Sequence, residues 1–215
     1  MGVVRDNLDV FLLGMRTTVL LTVLSYAAAL VIGTVVAACR VSPVPPLRAA
    51  GTAYVGVVRN TPLAVLIILF FSGLPDAGVI VQSRFVSAVI VLSAYTGAFV
   101  AEALRAGVNS VSRGQAEAAR ALGLTFPQVL WLVVIPQAFR TVVAPLGSIF
   151  IALIKNSSLA ALISVHELAF TTQELLNETA RPIPVFAGAA AAYLALALPS
   201  GVAVARLERA LAIRR

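Results

Sequence analysis

Side chains able to carry chemistry are few in this sequence. Its 215 residues include one histidine, His166, one cysteine, Cys39, and one lysine, Lys155. A protein-bound zinc takes three or four ligands, and a nucleophile needs a base within reach. One His and one Cys supply neither, no H-E-x-x-H is present, and Cys39 alone cannot close an internal disulfide. Cys39 ends an apolar run and reads as a small packed residue. Lys155 lies in IALIKNSS, without the glycine cradle of G-x-x-x-x-G-K-[ST], so the chain shows no nucleotide-binding P-loop. The remaining polar groups point to contact with a solute or a partner rather than to a reaction. Lys155, Asn156 and Ser157, with Ser158, either line a polar pathway or cap a connector. Lys155 and Arg16 either attract an anion or snorkel to lipid headgroups. Glu102 precedes Arg105 by one helical turn, which predicts a local ion pair. Ser164 and Glu167 have capping-box spacing, which places His166 in the first turn of a helix.

The elements that must position these groups are membrane helices. Apolar residues make up 60% of the chain and charged residues only 12%, half the roughly 25% of a soluble domain, and mean hydropathy is +0.98. Residues 17–39 and 183–205 are two uncharged runs of 23. At about 1.5 Å per residue each reaches roughly 34 Å, enough for a hydrocarbon core of about 30 Å. The first run is too long for a cleavable signal peptide and is expected to stay as a span. Five spans are expected, at about 10–39, 54–73, 85–104, 139–154 and 183–205, in one transmembrane domain covering 1–215. The second is short. It is expected to open at Pro62 with Thr61 as N-cap, with residues 54–58 adding depth before a break at Arg59 and Asn60. Spans two and four are short and proline-interrupted, as where backbone breaks face protein or a cavity rather than lipid.

These spans divide the charges. One side collects eleven arginines, from Arg40 to Arg214 and Arg215, against Glu102, Glu117 and Glu208. The other holds five basic and six acidic residues, Asp76 among the latter. Lys and Arg near span ends resist translocation, so the basic side is expected to be cytoplasmic, with the N-terminus outside and the C-terminus inside. The formal charge of +7 is then topology and not a nucleic-acid footprint.

On that cytoplasmic side, residues 107–136 form the most informative segment. Ser112 and Gln115 have capping-box spacing, Ala-rich residues follow, and Gly123 is placed for a left-handed C-cap. Thr125 and Gln128 repeat the capping box, so a second helix follows at once, and Pro136 is expected to break or kink it. The product is a helix–Gly–helix elbow. On these signals alone it either packs its small-residue face into a partner's groove or lies on the membrane as an amphipathic loop.

Glu117-Ala118-Ala119, then Gly123 and Pro136 thirteen residues later, resembles the EAA loop of ABC-importer permeases; Val133 and Ile135 are conservative departures at its two hydrophobic positions. The stretches RNTPL with Tyr54, SAYTGAFVAEALRAGVNSVSRGQAEAARALG and PLGSIFIALIKNSSLA extend the resemblance to the histidine-permease-like, polar amino-acid uptake family. RVSPV, RNTPL and FVAEALR look closest to its glutamate-type permeases. Leu66 stands where that family often has Gln, and Asn156 where it has Asp. The resemblance implies an all-α, MetI-like type I importer fold with about five transmembrane helices and cytoplasmic coupling helices. It implies a permease for polar amino acids, glutamate or a near relative, embedded in the cell membrane. The implied partners are a second, different permease chain rather than an identical one, a cytoplasmic ABC ATPase dimer, and an external solute-binding protein. ATP and Mg would belong to the ATPase, leaving this chain without a cofactor. By analogy Ala118 and Ala119 provide close packing, Gly123 the elbow and Glu117 a polar anchor. The alternative, a stand-alone secondary transporter or channel, predicts intramembrane carboxylates or an inverted repeat, and the sequence displays neither.

Overall fold

The computed structural model describes residues 2–76, 78 and 83–211. Arg214 and Arg215 lie outside the described residues, as does the side chain of Asp76. Every regular element among the described residues is helical. The order is α1 (Gly2–Asp6), α2 (Leu8–Val41), α3 (Pro45–Asn60), α4 (Leu63–Ile68), α5 (Leu74–Asp76), α6 (Arg84–Asn109), α7 (Arg113–Ala121), α8 (Phe126–Val129), α9 (Ile135–Asn156), α10 (Leu168–Thr179) and α11 (Pro182–Leu211). π-turns at Leu69–Gly73 and Leu130–Val134 join α4 to α5 and α8 to α9, and a 3₁₀ stretch, Ser157–Ile163, extends α9.

Among the described residues four helices are long and apolar enough to cross a membrane: Leu8–Val41, Arg84–Asn109, Phe126–Ile163 and Pro182–Leu211. The pair Pro45–Asn60 and Leu63–Gly73 is together long and apolar enough for a fifth, as a broken span or a re-entrant loop, bent by 104° between the two helices. The break falls at Thr61 and Pro62. Thr61 closes α3, its hydroxyl donating to the Val57 carbonyl at 2.8 Å, and Pro62 takes the cap position of α4. Thr61 is therefore a C-cap where the sequence predicts an N-cap, because its hydroxyl back-bonds into the helix behind it.

Span four also differs from expectation. Pro136 neither breaks nor ends the helix, which runs unbroken from Phe126 to Ile163. Proline lacks the N–H owed to the carbonyl four residues back and crowds it. The π-turn Leu130–Val134 contains that carbonyl, on Leu132, and widens the helix there. The same device precedes Pro75, whose π-turn Leu69–Gly73 also ends two residues before the proline.

The long helices approach closely through small residues. A Cβ at Gly97 would stand 2.9 Å from Ile32, and one at Gly33 would collide with Val100, so α2 and α6 meet backbone to side chain. Tyr26 of α2 donates to the Leu146 carbonyl of α9 at 2.9 Å, and Tyr54 of α3 to the Ala94 carbonyl of α6 at 2.6 Å. On the outward faces Val31 and Val35 of α2 and Leu198 of α11 stay exposed, as lipid-facing side chains do.

The connector to α10 corrects the reading of His166. Glu167 is itself the N-cap of α10, its fully buried carboxylate accepting from the amides of Ala169 and Phe170, both at 2.9 Å. Tyr193 donates to the same carboxylate at 3.1 Å. Ser164 instead takes left-handed backbone (φ 56°). His166 thus precedes the helix. A carboxylate satisfies two orphan amides and suits the positive helix end, so it outcompetes a serine three residues earlier.

Candidate functional site: the elbow and the arginine node

The elbow forms between α7 and α8. Ser112 is the N-cap residue of α7, but its side chain makes no capping bond; Gln115 is held through the Ser112 backbone carbonyl at 3.1 Å. At the other end Gly123 donates to the Arg120 carbonyl at 2.9 Å and Leu124 to the Ala119 carbonyl at 3.2 Å, the two bonds of a Schellman motif. Gly123 adopts φ +85°, which an L side chain resists. Thr125 then opens α8 with the expected capping box, its amide donating to Gln128 Oε1 at 2.8 Å.

This geometry brings Glu117, Ala118, Ala119 and Gly123 into one loop, with Pro136 beyond the π-turn. Ala119 is buried, whereas Glu117 and Ala118 are exposed. Around the turn Leu122 is 82% exposed and Phe126 66%. The elbow is thus held by two caps and carries uncovered apolar side chains beside an acid.

The polar run at the far end of α9 separates. Asn156 lines a cavity of about 260 Å³ with Tyr95, Thr96 and Phe99. Ser157 is fully buried and donates to the Ile154 carbonyl at 2.8 Å, while the Lys155 side chain is exposed. Arg16 is likewise exposed, and Cys39 is half-buried. His166 lies 3.8 Å from Glu174 and packs on Phe170.

A second assembly goes beyond anything the spacing shows. Glu102 pairs with Arg105 at 2.5 Å as expected, but Arg40 from the end of α2 reaches its other oxygen at 2.6 Å. Arg59, at the end of α3, stands 3.6 Å away with its guanidinium carbon 5.1 Å over the Phe99 ring. One carboxylate thus joins three helices and leaves two positive charges in excess. The Arg40 pair is missed from sequence because 62 residues separate its partners.

Residues 29–213 match the family described as binding-protein-dependent transport system inner membrane component. The probable glutamine ABC transporter permease protein GlnM of Bacillus subtilis is 37% identical, over 98% of this chain and 97% of its own. The glutamate transport system permease protein GluC of Corynebacterium efficiens is 41% identical over 92% of each. The crystal structure of an amino acid ABC transporter with histidines superposes with a TM-score of 0.90 at 30% identity, covering 95% of both chains. The MetNI methionine ABC transporter, at 21% identity and a TM-score of 0.83, shares the fold. A helical, multi-pass chain with this elbow and these relatives belongs to the family of binding-protein-dependent transport system inner membrane components, the permease subunits of ABC transporters.

Proposed function

We propose that this permease imports an acidic or polar amino acid, glutamate or a near relative, as one half of a translocation path whose other half is a second, different permease chain. Its relatives named for glutamate and glutamine, at 41% and 37% identity over more than nine-tenths of the chain, support the solute class. The elbow is the contact to a cytoplasmic ABC ATPase dimer: Ala118 packs closely, Glu117 anchors, Leu122 and Phe126 fill the partner's groove, and Gly123 sets the angle. Ala119 and the π-turn before Pro136 tie the elbow to α9, so a push on α7 reaches the span. ATP and Mg are handled by that ATPase. The elbow end is cytoplasmic, in keeping with the positive-inside rule, and an external solute-binding protein delivers the amino acid at the opposite end. Asn156 faces the path, in keeping with the cavity it lines; Lys155 and Ser157 act beside it, by charge and by holding the end of α9.

One observation carries the reading: a double-capped elbow with Gly123 at φ +85° between two exposed apolar side chains. The test is to extract the tagged chain gently from its native membrane and identify its companions by mass spectrometry, then measure glutamate-stimulated ATP hydrolysis. A P-loop ATPase and a second permease are the expected companions. Recovery of the chain alone under conditions that preserve such complexes refutes the reading.

A further inference from the structure

Three cavities meet at Phe99. One is the 260 Å³ cavity that reaches Asn156. The second, about 350 Å³, runs between α6 and α9 past Ser110 and Thr141; the third, about 400 Å³, opens beside α3 at Gly56 and Asn60. The last two share Arg59, Phe99 and Glu102. Volumes of several hundred Å³ suit small solutes.

The charges there are unequally used. Both oxygens of Glu102 already receive short bonds from Arg40 and Arg105. Arg59 stands at 3.6 Å, beyond hydrogen-bond reach, and its side chain is 40% exposed. Its ring contact with Phe99 steadies the guanidinium plane without occupying its N–H edge. A planar fork of donors beside open volume is the natural partner of a carboxylate. Among the described residues Glu102 is the sole acid lining these two cavities. A carboxylate taken by Arg59 would lie beside Glu102, whose two oxygens each keep a lone pair to accept from an ammonium, and an α-amino acid carries that pair of charges one carbon apart.

Resting on the amino-acid reading above, we infer that Arg59 and Glu102 form a weak station for the backbone of the solute at the elbow end of its path, Arg59 taking the α-carboxylate and Glu102 the α-ammonium. The station reads what glutamate and glutamine share and leaves side-chain choice to other surfaces. Its exposure keeps it weak, as a step that must also release its solute requires.

The test is equilibrium binding of labelled glutamate to the assembled permease–ATPase complex without the solute-binding protein. Glutamine is expected to compete, and 4-aminobutanamide, which is glutamine without its α-carboxylate, to compete at least tenfold less well. Arg59→Gln removes a charged hydrogen-bond partner and weakens glutamate binding by roughly tenfold or more; Arg59→Lys restores part of it. Gly56→Leu extends into open space, since a Cβ there meets nothing within 4 Å. It fills the third cavity while Arg59 remains, so loss of glutamate binding in a Gly56→Leu complex that still assembles with its ATPase and hydrolyses ATP at the basal rate marks a blocked station and not a damaged fold. The inference is overturned if 4-aminobutanamide competes as well as glutamine, if Arg59→Gln binds as wild type does, or if wild type binds no amino acid while uptake driven by the binding protein proceeds. Failure of the intact system to take up any amino acid overturns the amino-acid reading first, and the station with it.

Discussion

Replacing Gly123 by alanine isolates the elbow's backbone from its packing. Gly123 has φ +85°, and a Cβ built on it meets no atom within 4 Å, so the substitution adds no clash. The cost is the left-handed backbone alone, about 1–2 kcal/mol for an ordinary L residue. Both Schellman bonds, from Gly123 and Leu124, depend on that conformation. If the ATPase docks only on the formed elbow, 1–2 kcal/mol reduces docking affinity by a factor of about 5–30. Asparagine tolerates left-handed backbone better, so Gly123→Asn is expected to lose less than Gly123→Ala despite its larger side chain. Gly114→Ala, inside α7 and also in open space, is the control: a helical glycine costs roughly 0.5–1 kcal/mol relative to alanine, so this variant is neutral or slightly stabilised. The assay is titration of the detergent-solubilised permease with purified ATPase, followed by transport per ATP hydrolysed in proteoliposomes. Equal affinities for wild type and Gly123→Ala, or a larger loss for Asn than for Ala, refute the argument from backbone conformation.

Other parts of the fold give sharper structural tests. Glu167→Ala strips the cap of α10 and orphans two amides and the Tyr193 hydroxyl; a loss of roughly 1–3 kcal/mol is expected, with Glu167→Gln milder, read by thermal unfolding of the purified chain. Equal stability of all three chains contradicts the capping role. Glu102→Gln leaves Arg40, only 11% exposed, without its counter-charge. Breaking a buried pair costs about 3–5 kcal/mol, and partial exposure of Glu102 places this variant at or below the lower end, measured as reduced recovery of folded permease. Gly14→Ala would place a Cβ 2.5 Å from Thr171 Oγ1 and 3.0 Å from the Leu168 Cα. Overpacking against backbone costs roughly 1–3 kcal/mol, and earlier proteolysis of the α10 connector is the signature to look for.

The parts of this protein legible in its sequence are those decided within one or two helical turns. Apolar run length is local, so the spans at 10–39, 85–104 and 183–205 all fall inside helices that cover them. Capping is local as well: Thr125 with Gln128, and Gly123 after an Ala-rich turn, are specified by neighbours no more than five residues away. Even there local alternatives mislead: the Thr61 hydroxyl serves the helix behind it, and the Glu167 carboxylate, as the better acceptor, takes the cap that Ser164 was expected to supply.

What faces what was decided only by the tertiary structure. In a soluble protein an apolar stripe marks the buried face, but lipid is as apolar as leucine, and that mark is lost in a membrane helix. The sequence of α2 therefore does not announce that Gly33 meets Val100, that Thr18 is buried near Glu167, or that Arg40 crosses to Glu102. The last turn of α3 carries Arg59 over Phe99 of α6, and only with α2, α3 and α6 packed does one carboxylate gather three guanidinium groups. Spacing along the chain determined the spans and the elbow, because those interactions close within a few residues. The arginine node and the cavities meeting at Phe99 required helices far apart in sequence to pack.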